Sequence, residues 1–362
     1  LDVKTNKRLE FHEITRDSIT SALANPRTID LNLVASQETR RIVDRIIGFK
    51  LSTLVYNKIK SKSAGRVQSA TLKLIDDHDK EIKAFVPEEY WNILVNVNYG
   101  TKLLDLSYAG KDGVKEVKNE KQANEIINNL PELLKVIDVK KTIKVIESKE
   151  PFTTSTMQQE AYSKLKFKTS KTQSVAQSLY EGLDINGEHV GLITYMRTDL
   201  SRLSPTYIEK ATNYIIETYG KEYLGASKKV KKTNMTQGAH EAIRPTSNHR
   251  TPESVRPYLT NDQYNLYKLI YNRALSSLMA NKKEEVLTVT FDGNGYKFEI
   301  EFTRTIFPGY ELLSKENANR NISFPDINIG DDFVINEKKC EQKFTQPPAP
   351  YSEAKVVKLM EE

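Results

Sequence analysis

Two distant stretches with alternating apolar side chains restrict the fold of this chain more than any other feature. Apolar residues occupy every second position in residues 91–99, and again in residues 287–302 on both sides of the turn Asp292-Gly293-Asn294-Gly295. A period of two is typical of strands with one buried face, and Asn-Gly favours a hairpin turn. Strands therefore lie on both sides of a helical middle, which predicts one sheet domain interrupted by an insertion.

Helical periodicity accounts for much of the remaining chain. It predicts helices over residues 15–24, 36–56 and 67–85, the first of them ended by Asn25-Pro26. In the insertion, Ser155 and Gln158 have the spacing of a capping box, a second helix runs from Lys171 to Gly182, and Ser204-Pro205 opens a third. A last helix begins near Ser352. Strands are predicted over residues 7–12 and 190–193, and a charged hairpin or loop over residues 110–122.

The composition is typical of a soluble globular protein, and it predicts one local basic surface. The chain has 362 residues, enough for two to four domains, and 38% of them are hydrophobic and 28% charged. The net charge is only +6, but residues 40–73 contain nine basic residues and one acidic residue, a local excess of eight. Such a block fits a surface that follows phosphates, although a merely solvated basic face has the same composition.

The single cysteine and the absence of apolar targeting segments indicate the cellular compartment of this chain. Cys340 alone excludes an internal disulfide and a cysteine-rich zinc site, which favours a reducing compartment such as the cytoplasm. No apolar run is long enough for a transmembrane helix, and no signal peptide opens the chain. The sequence starts at Leu1 and stops at Glu362 inside a predicted helix, so a fragment of a longer protein is expected.

The segment after the predicted strand at residues 190–193 combines a phenol with a guanidinium. Thr194-Tyr195 follows the apolar run, with Arg197 two positions and Asp199 four positions beyond Tyr195. A tyrosine has a pKa of about 10, so it attacks phosphorus only where a neighbouring cation favours the phenolate and neutralises charge on the phosphoryl oxygens. Arg197 is placed to do both. The residues alone leave the alternative open that Tyr195 is a half-buried packing residue and Arg197 a surface charge.

Residues 63–69 form a second candidate contact with an anion. Gly65 permits close approach of a phosphate to the backbone, and Arg66 and Gln68 open the following helix, whose N-terminus favours anions. The amide of Gln68 presents both a donor and an acceptor to a base edge. The residues alone favour an ordinary capped turn for this heptapeptide.

Two other patterns have structural explanations. The acidic series Asp77, Asp79 and Glu81 has the spelling of a magnesium motif, but it lies in a predicted helix, where alternate carboxylates point about 200° apart and cannot hold one ion. The tyrosines at 258, 264, 267 and 271 have helical spacing, which favours core packing over stacking on bases.

Several motifs together identify a family. ITYMRTD at residues 193–199, followed by LSP, and SAGRVQS at residues 63–69 resemble two signatures of the type IA DNA topoisomerases. Further similarities are RRIVDRIIGF at 40–49, KAFVPEEYW at 83–91, GAHEAIRPT at 238–246 and QPPAPYSEA at 346–354, in the order of the family. The spelling SAGRVQS resembles the bacterial topoisomerase I branch, because a topoisomerase III has a different stretch there.

The resemblance implies an α+β multidomain fold, part of the toroid of this family. It assigns residues 1–30 to the tail of a TOPRIM domain, 31–88 to the first part of a basic helical DNA-holding domain, and 155–281 to an inserted, winged-helix-like gate domain with the catalytic tyrosine. Residues 89–154 and 282–340 become the two halves of a β-rich arch, and 341–362 begin the returning helical domain.

The resemblance also implies the site residues. Tyr195, Arg197 and His240 would be catalytic, with His240 near the cleaved phosphate and Arg244 a second phosphate contact. The DNA-binding residues would be Arg40, Arg41, Ile42, Asp44, Arg45, Lys50, Asn57, Ser63, Ala64, Gly65, Arg66, Val67, Gln68, Arg197, Thr198, Asp199, Glu241 and Arg244. Leu200 departs from the family, which usually has a small hydroxyl residue there.

The implied function is relaxation of negatively supercoiled DNA through a 5′-phosphotyrosine intermediate, strand passage and religation, without ATP. Mg²⁺ would be held by carboxylates of the missing TOPRIM domain, so no metal is expected on this fragment, which would be inactive in relaxation by itself. The expected partners are single-stranded and negatively supercoiled DNA, with no membrane, for a monomer at the cytoplasmic nucleoid. The alternative is a non-catalytic single-stranded DNA-binding module, which covalent trapping on DNA would distinguish.

Overall fold

The chain divides into two compact units. The structure is a computed structural model that describes residues 7–225, 241–314 and 323–360. One unit, here called the barrel unit, comprises Ala84–Ser148 and Ala280–Pro348. The other, the helical unit, comprises Leu1–Lys83, Lys149–Met279 and Ala349–Glu362.

The barrel unit is built on six antiparallel strands. They are β1 (Glu89–Tyr99), β2 (Lys102–Gly110), β3 (Leu133–Ile146), β6 (Lys282–Gly293), β7 (Tyr296–Phe307) and β8 (Asp332–Phe344), and they close in the order β1-β2-β7-β6-β3-β8. Strands from both sides of the helical middle thus pair directly, as Val139 does with Val289. The predicted hairpin is confirmed: Asn294 and Gly295 connect β6 and β7 with φ angles of 56° and 86°, the left-handed pair that a tight type I′ turn requires.

The inward side chains of these strands form the barrel core. Val95 and Val97 on β1, Leu106 on β2 and Val289 and Phe291 on β6 are all fully buried. Helix α4 (Glu120–Asn129) packs Ala123 and Ile126 against the same cluster. The alternating pattern in the sequence is therefore the pattern of one buried face, as a half-exposed sheet requires.

The helical unit contains the α-helices of the described residues other than α4. They are α1 (Arg16–Ala24), α2 (Leu31–Ile59), α3 (Arg66–Ala84), α5 (Thr154–Leu165), α6 (Thr169–Glu181), α7 (Pro205–Tyr219), α8 (Pro252–Val255), α9 (Asn261–Ser276) and α10 (Glu353–Leu359). A two-stranded hairpin, β4 (Leu183–Ile185) with β5 (Glu188–Val190), follows α6.

Tyr267 and Tyr271 of α9 are buried as predicted, whereas Tyr258 lies outside α9 and is 39% exposed. No helix of the described residues is long and apolar enough to cross a membrane.

Several helix ends agree with the sequence and others do not: the helix predicted over residues 36–56 spans Leu31–Ile59, and the one predicted from Lys171 begins at Thr169. Ser204 caps α7, whose first residue is Pro205, and Ser352 caps α10, as predicted. In α5, the capping box begins two residues before the predicted Ser155. Thr153 is the N-cap: its hydroxyl accepts the Thr156 amide at 3.3 Å, and the Thr156 hydroxyl accepts the Thr153 amide at 2.9 Å. Ser155 is instead buried inside the helix.

The predicted strand at residues 7–12 is wrong. The described part of this segment has only one isolated bridge, between Arg8 and Arg27. Instead, the carbonyls of His12 and, just beyond the segment, Ile14 accept the amides of Tyr195 and Gly191. The local sequence is compatible with a strand, but no continuous partner strand lies beside it.

Candidate active site

The segment after β5, residues 191–200, lies between two other extended segments. On one side the amides of Gly191 and Tyr195 donate to the carbonyls of Ile14 (3.0 Å) and His12 (2.8 Å). On the other side the Thr194 amide donates to the Arg244 carbonyl at 3.0 Å. The predicted strand at residues 190–193 is therefore wrong beyond Val190, the last residue of β5.

Proline explains why this segment is not a regular strand. Its neighbour at Ile193 is Pro245, which has no N–H to donate to a ladder. Side-chain hydroxyls make the missing connections. The Thr194 hydroxyl donates to the Ala242 carbonyl at 2.8 Å and accepts the Arg244 amide at 3.0 Å.

Despite the lack of a ladder, side chains along the segment alternate between core and surface. Thr194, Met196, Thr198 and Leu200 are buried, at 1%, 0%, 5% and 8% exposure, while Tyr195 is half-buried and Arg197 and Asp199 are exposed. The hydroxyl of Thr154, at the start of α5, secures the inner side: it accepts the Thr198 amide and lies 2.8 Å from the Met196 carbonyl. The three polar residues that the sequence singled out thus share the outer face.

The ring of Tyr195 packs against a second tyrosine. Tyr180, on α6, lies edge-to-face with Tyr195, with 5.3 Å between ring centroids and 66° between planes. Burial, with the nearby Tyr195 phenol as a smaller cause, raises the pKa of Tyr180. Arg197 forms no ion pair with any described residue. The Arg197 side chain is exposed.

Arg244 is the centre of a buried ion cluster. Its guanidinium binds both oxygens of Glu241, at 3.1 Å from Nε and 2.6 Å from the terminal nitrogen, and Glu13 at 2.7 Å. It also stacks over the Tyr207 ring, 4.5 Å from the centroid. Burial opposes the charged form, but Glu241 and then Glu13 outweigh it, so the pKa of Arg244 is raised.

The structure therefore separates residues that were predicted to meet DNA together. Arg197 and Asp199 are at the surface, but Thr198 and Arg244 are buried, as is Glu241 at 8% exposure. Their polar groups already bind protein partners, so in this conformation none of the three is presented to a strand of DNA. Leu200 is also in the core, and its amide donates to the Thr198 hydroxyl. His240 lies outside the described residues.

The predicted DNA-binding helices present an exposed basic surface. The side chains of Arg40, Arg41, Ile42, Asp44, Arg45, Lys50 and Asn57 are exposed along α2, and those of Ser63, Arg66, Val67 and Gln68 around the start of α3. The Ser52 hydroxyl ties the turn between the helices to α2, since it accepts the Ala64 amide at 3.1 Å. Ala64 and Gly65 are half-buried in this turn.

Within this surface Arg66 is already paired. It donates to both carboxylate oxygens of Asp44, the second at 2.9 Å, and the hydrogen bond from Arg66 holds the pKa of Asp44 below its ordinary value. Gln68 donates from its amide to the Ser63 hydroxyl at 3.2 Å. A phosphate that binds Arg66 must therefore compete with a carboxylate of the same protein.

The acidic residues of the series on α3 pair with side chains of the same helix. Asp79 pairs with Lys83 at 2.9 Å, Asp77 with Lys73, and Glu81 lies 3.3 Å from His78. Among the described residues, no group of three or more His, Cys, Asp or Glu side chains could hold a metal ion. The predicted helix beneath this motif is confirmed, because α3 spans Arg66–Ala84.

Two residues that secure the site were missed from the sequence. Thr154 binds the inner side of the segment, and Glu13 binds Arg244 although the two are 231 positions apart. Thr154 is the first residue of α5 and Glu13 lies in a polar stretch, and neither belongs to a local sequence motif that would indicate its contacts. Only the fold brings them to the site.

Comparison with known proteins gives a consistent result. A family model described as DNA topoisomerase matches residues 28–362. Among solved structures, full-length topoisomerase I from Thermotoga maritima is similar, with a TM-score of 0.83 and 41% sequence identity. The similarity covers 98% of this chain and 57% of that chain, so this chain spans little more than half the length of the matched protein.

Proposed function

Because the chain belongs to the bacterial type IA DNA topoisomerases, we propose that Tyr195 is the nucleophile for reversible cleavage of one DNA strand. The observation that carries this proposal is the outer face of residues 191–200. Tyr195, Arg197 and Asp199 point outward from a segment whose intervening side chains are buried and whose backbone is hydrogen-bonded on both sides. Such fixation favours reaction because less orientational freedom has to be lost in the transition state.

The proposed reaction exchanges one phosphodiester for another. The Tyr195 oxygen attacks phosphorus, an oxygen–phosphorus bond to tyrosine forms, and the bond between phosphorus and the 3′ oxygen breaks. The phenol loses its proton and the leaving 3′ oxygen gains one, which gives a 5′-phosphotyrosine and a free 3′-hydroxyl. No ATP is needed, because the hydroxyl reverses the same step after the other strand has passed. Underwound DNA supplies the unpaired strand, so negative supercoils relax.

Arg197 supplies the charge that this step needs. A guanidinium at the site neutralises the charge that grows on the phosphoryl oxygens in the transition state. Arg197 suits this role better than Arg244, because Arg197 is exposed whereas Arg244 is held by Glu241 and Glu13. We assign strand binding to the exposed basic surface of α2 and α3, through phosphate contacts.

The described residues do not fit a magnesium site. No step is therefore assigned to a metal on this chain. We propose that the magnesium carboxylates belong to a TOPRIM domain outside it, and that the chain by itself does not relax plasmid DNA.

Covalent trapping tests the proposal. The chain is incubated with a labelled single-stranded oligonucleotide and magnesium, with a TOPRIM domain supplied by fusion or in trans, and then denatured. A protein–DNA adduct is expected with the wild-type sequence and none with Tyr195→Phe, while strand affinity changes by no more than a few-fold. Arg197→Ala is expected to slow adduct formation about 100-fold to 1000-fold.

Tyr180→Phe is the matched control, because it removes a phenolic oxygen from the neighbouring ring and keeps the ring packing. It should leave the adduct intact. An adduct with Tyr195→Phe would refute the assignment of the nucleophile. Tight strand binding without any adduct from the wild-type sequence would instead support the alternative, a non-catalytic single-stranded DNA-binding module.

A further inference from the structure

We propose that Glu13 is a positioning residue that holds the backbone of Tyr195 in place through Arg244. The inference rests on the proposed role of Tyr195 as the nucleophile. It assigns to Glu13, Arg244 and Glu241 a mechanical function instead of contact with DNA.

Glu13 lies in the segment whose backbone carbonyls accept the amides of Gly191 and Tyr195. The carbonyls of its two neighbours, His12 and Ile14, accept the amides of Tyr195 and Gly191 at 2.8 and 3.0 Å. One carboxylate oxygen of Glu13 accepts from the Thr15 hydroxyl at 3.1 Å and the other from Arg244 at 2.7 Å. Both oxygens are therefore occupied, and the Glu13 side chain is only 19% exposed.

Arg244 lies in the segment that binds the opposite side. Its amide and carbonyl form hydrogen bonds of 3.0 Å to the Thr194 hydroxyl and the Thr194 amide. The ion pair between Glu13 and Arg244 thus connects the two flanking segments and closes them around residues 194 and 195.

Glu241 extends the connection downstream. It binds the guanidinium of Arg244 with both oxygens, and one of these oxygens also accepts the Ser204 amide at 3.0 Å. Ser204 is the N-cap of α7, so the chain shortly after residues 191–200 is connected through Glu241 to the same guanidinium. A single buried cation holds three segments that are otherwise joined mainly by backbone hydrogen bonds.

Loss of Glu13 leaves the buried guanidinium with one carboxylate partner instead of two. Hydrogen bonds between charged groups contribute more than neutral ones, so the segment around His12 should separate more readily from Tyr195. A displacement of about 1 Å at a nucleophile can cost about 100-fold in rate without a comparable loss of ligand binding.

Amide hydrogen exchange on the chain tests the connection without any catalytic assay. Glu13→Ala is expected to make the Tyr195 amide exchange about tenfold to 100-fold faster, while amides in the core of α9, such as Ile270, keep their protection. Glu13→Gln retains an acceptor for Arg244 and should give a smaller effect. Glu10→Ala is the control, because it removes an exposed ion pair to Arg27 in the same segment.

Adduct formation gives the second readout. With a TOPRIM domain supplied, Glu13→Ala should form the adduct about 100-fold more slowly at unchanged strand affinity, and Glu13→Gln should recover part of the rate. If Tyr195 stays protected in Glu13→Ala, or if the amides of α9 lose protection equally, the inference is overturned. If exchange at Tyr195 rises as expected but the wild-type protein forms no adduct, the connection stands and the proposed function fails.

Discussion

At the scale of single residues, Arg66 of the proposed DNA-binding surface is already bound by a carboxylate of the same protein. Asp44 binds the guanidinium through both oxygens, and the hydrogen bond from Arg66 holds the pKa of Asp44 below its ordinary value. Asp44 is also the one acidic residue among the nine basic residues of positions 40–73. Exposed ion pairs contribute little to folding, so this pair is best understood as a restraint on Arg66.

Asp44→Asn should therefore tighten binding to single-stranded DNA. Release of Arg66 adds about one phosphate contact, so the slope of log affinity against log salt should steepen by roughly 0.7. Fluorescence anisotropy of a labelled oligonucleotide at several salt concentrations measures both quantities. Asp76→Asn makes the same charge change on α3, where Asp76 pairs with Lys80, and should change the slope less. Equal slopes for the two variants would show that Asp44 exerts only a general charge effect.

The sequence predicted residues whose chemistry is local and missed those whose partners are remote. Tyr195, Arg197 and Asp199 are spaced two residues apart, and alternate residues of an extended segment lie on the same face. Arg244 looked like a phosphate contact, because the sequence does not show that Glu13, 231 positions away, already binds it. Burial of a charge depends on the tertiary fold, and a local motif does not reveal it.

At the scale of elements, an ion cluster joins α5 to α9. Glu160 of α5 binds Arg273 of α9 at 2.8 Å and Lys164 of its own helix at 2.8 Å, with Lys149 at 3.6 Å. Burial acts to raise the pKa of Glu160, but Lys164 and Arg273 outweigh it, so the pKa lies below its ordinary value of 4.5. The charged form of Glu160 is thus favoured by the folded state.

Glu160→Gln is expected to lower the free energy of unfolding of the helical unit by about 2 kcal/mol at pH 7. Because folding lowers the pKa, this stabilisation is fully present above the unfolded pKa and is lost as pH falls through the folded pKa. The difference between wild type and variant should therefore shrink below about pH 4.5. Urea unfolding followed by far-ultraviolet circular dichroism measures it. Glu209→Gln, exposed on α7, should change stability by less than about 0.5 kcal/mol, and a pH-independent difference at Glu160 would contradict the pKa shift.

Elements with strong local signals were predictable and those defined by neighbours were not. The hairpin of β6 and β7 and the cap of α7 follow from Asn294-Gly295 and Ser204-Pro205, whose backbone preferences act within a few residues. The strand predicted at residues 190–193 ends early, because Pro245 beside it has no amide hydrogen. A strand requires a partner with donors, and the partner is unknown from local sequence.

At the scale of the whole molecule, the stability of the barrel unit can be followed separately. Trp91 on β1 is the only tryptophan of the chain, so its fluorescence reports on the barrel unit. The barrel unit also contains a glycine that admits no side chain. A Cβ at Gly309, where φ is 51°, would lie 2.4 Å from the Ala280 carbonyl oxygen.

Gly309→Ala should therefore destabilise the barrel unit. Gly100→Ala is the matched control, because φ is 57° there and nothing lies within 4 Å of the added Cβ. Overpacking typically costs about 1–3 kcal/mol, so Gly309→Ala should lose about that much more than Gly100→Ala in urea unfolding followed by Trp91 fluorescence. Equal losses would mean that the backbone around Ala280 moves aside without cost.

The connection between β3 and β6 has an evolutionary consequence. Ile146, the last residue of β3, is paired with Lys282, the first residue of β6, so the chain leaves the barrel and returns to it across a single strand spacing of about 4.8 Å. A hairpin turn of ordinary length could span that gap. The residues between these strands, which include the proposed nucleophile Tyr195, therefore form one insertion that recombination can lengthen or exchange without any change in the register of β3 and β6.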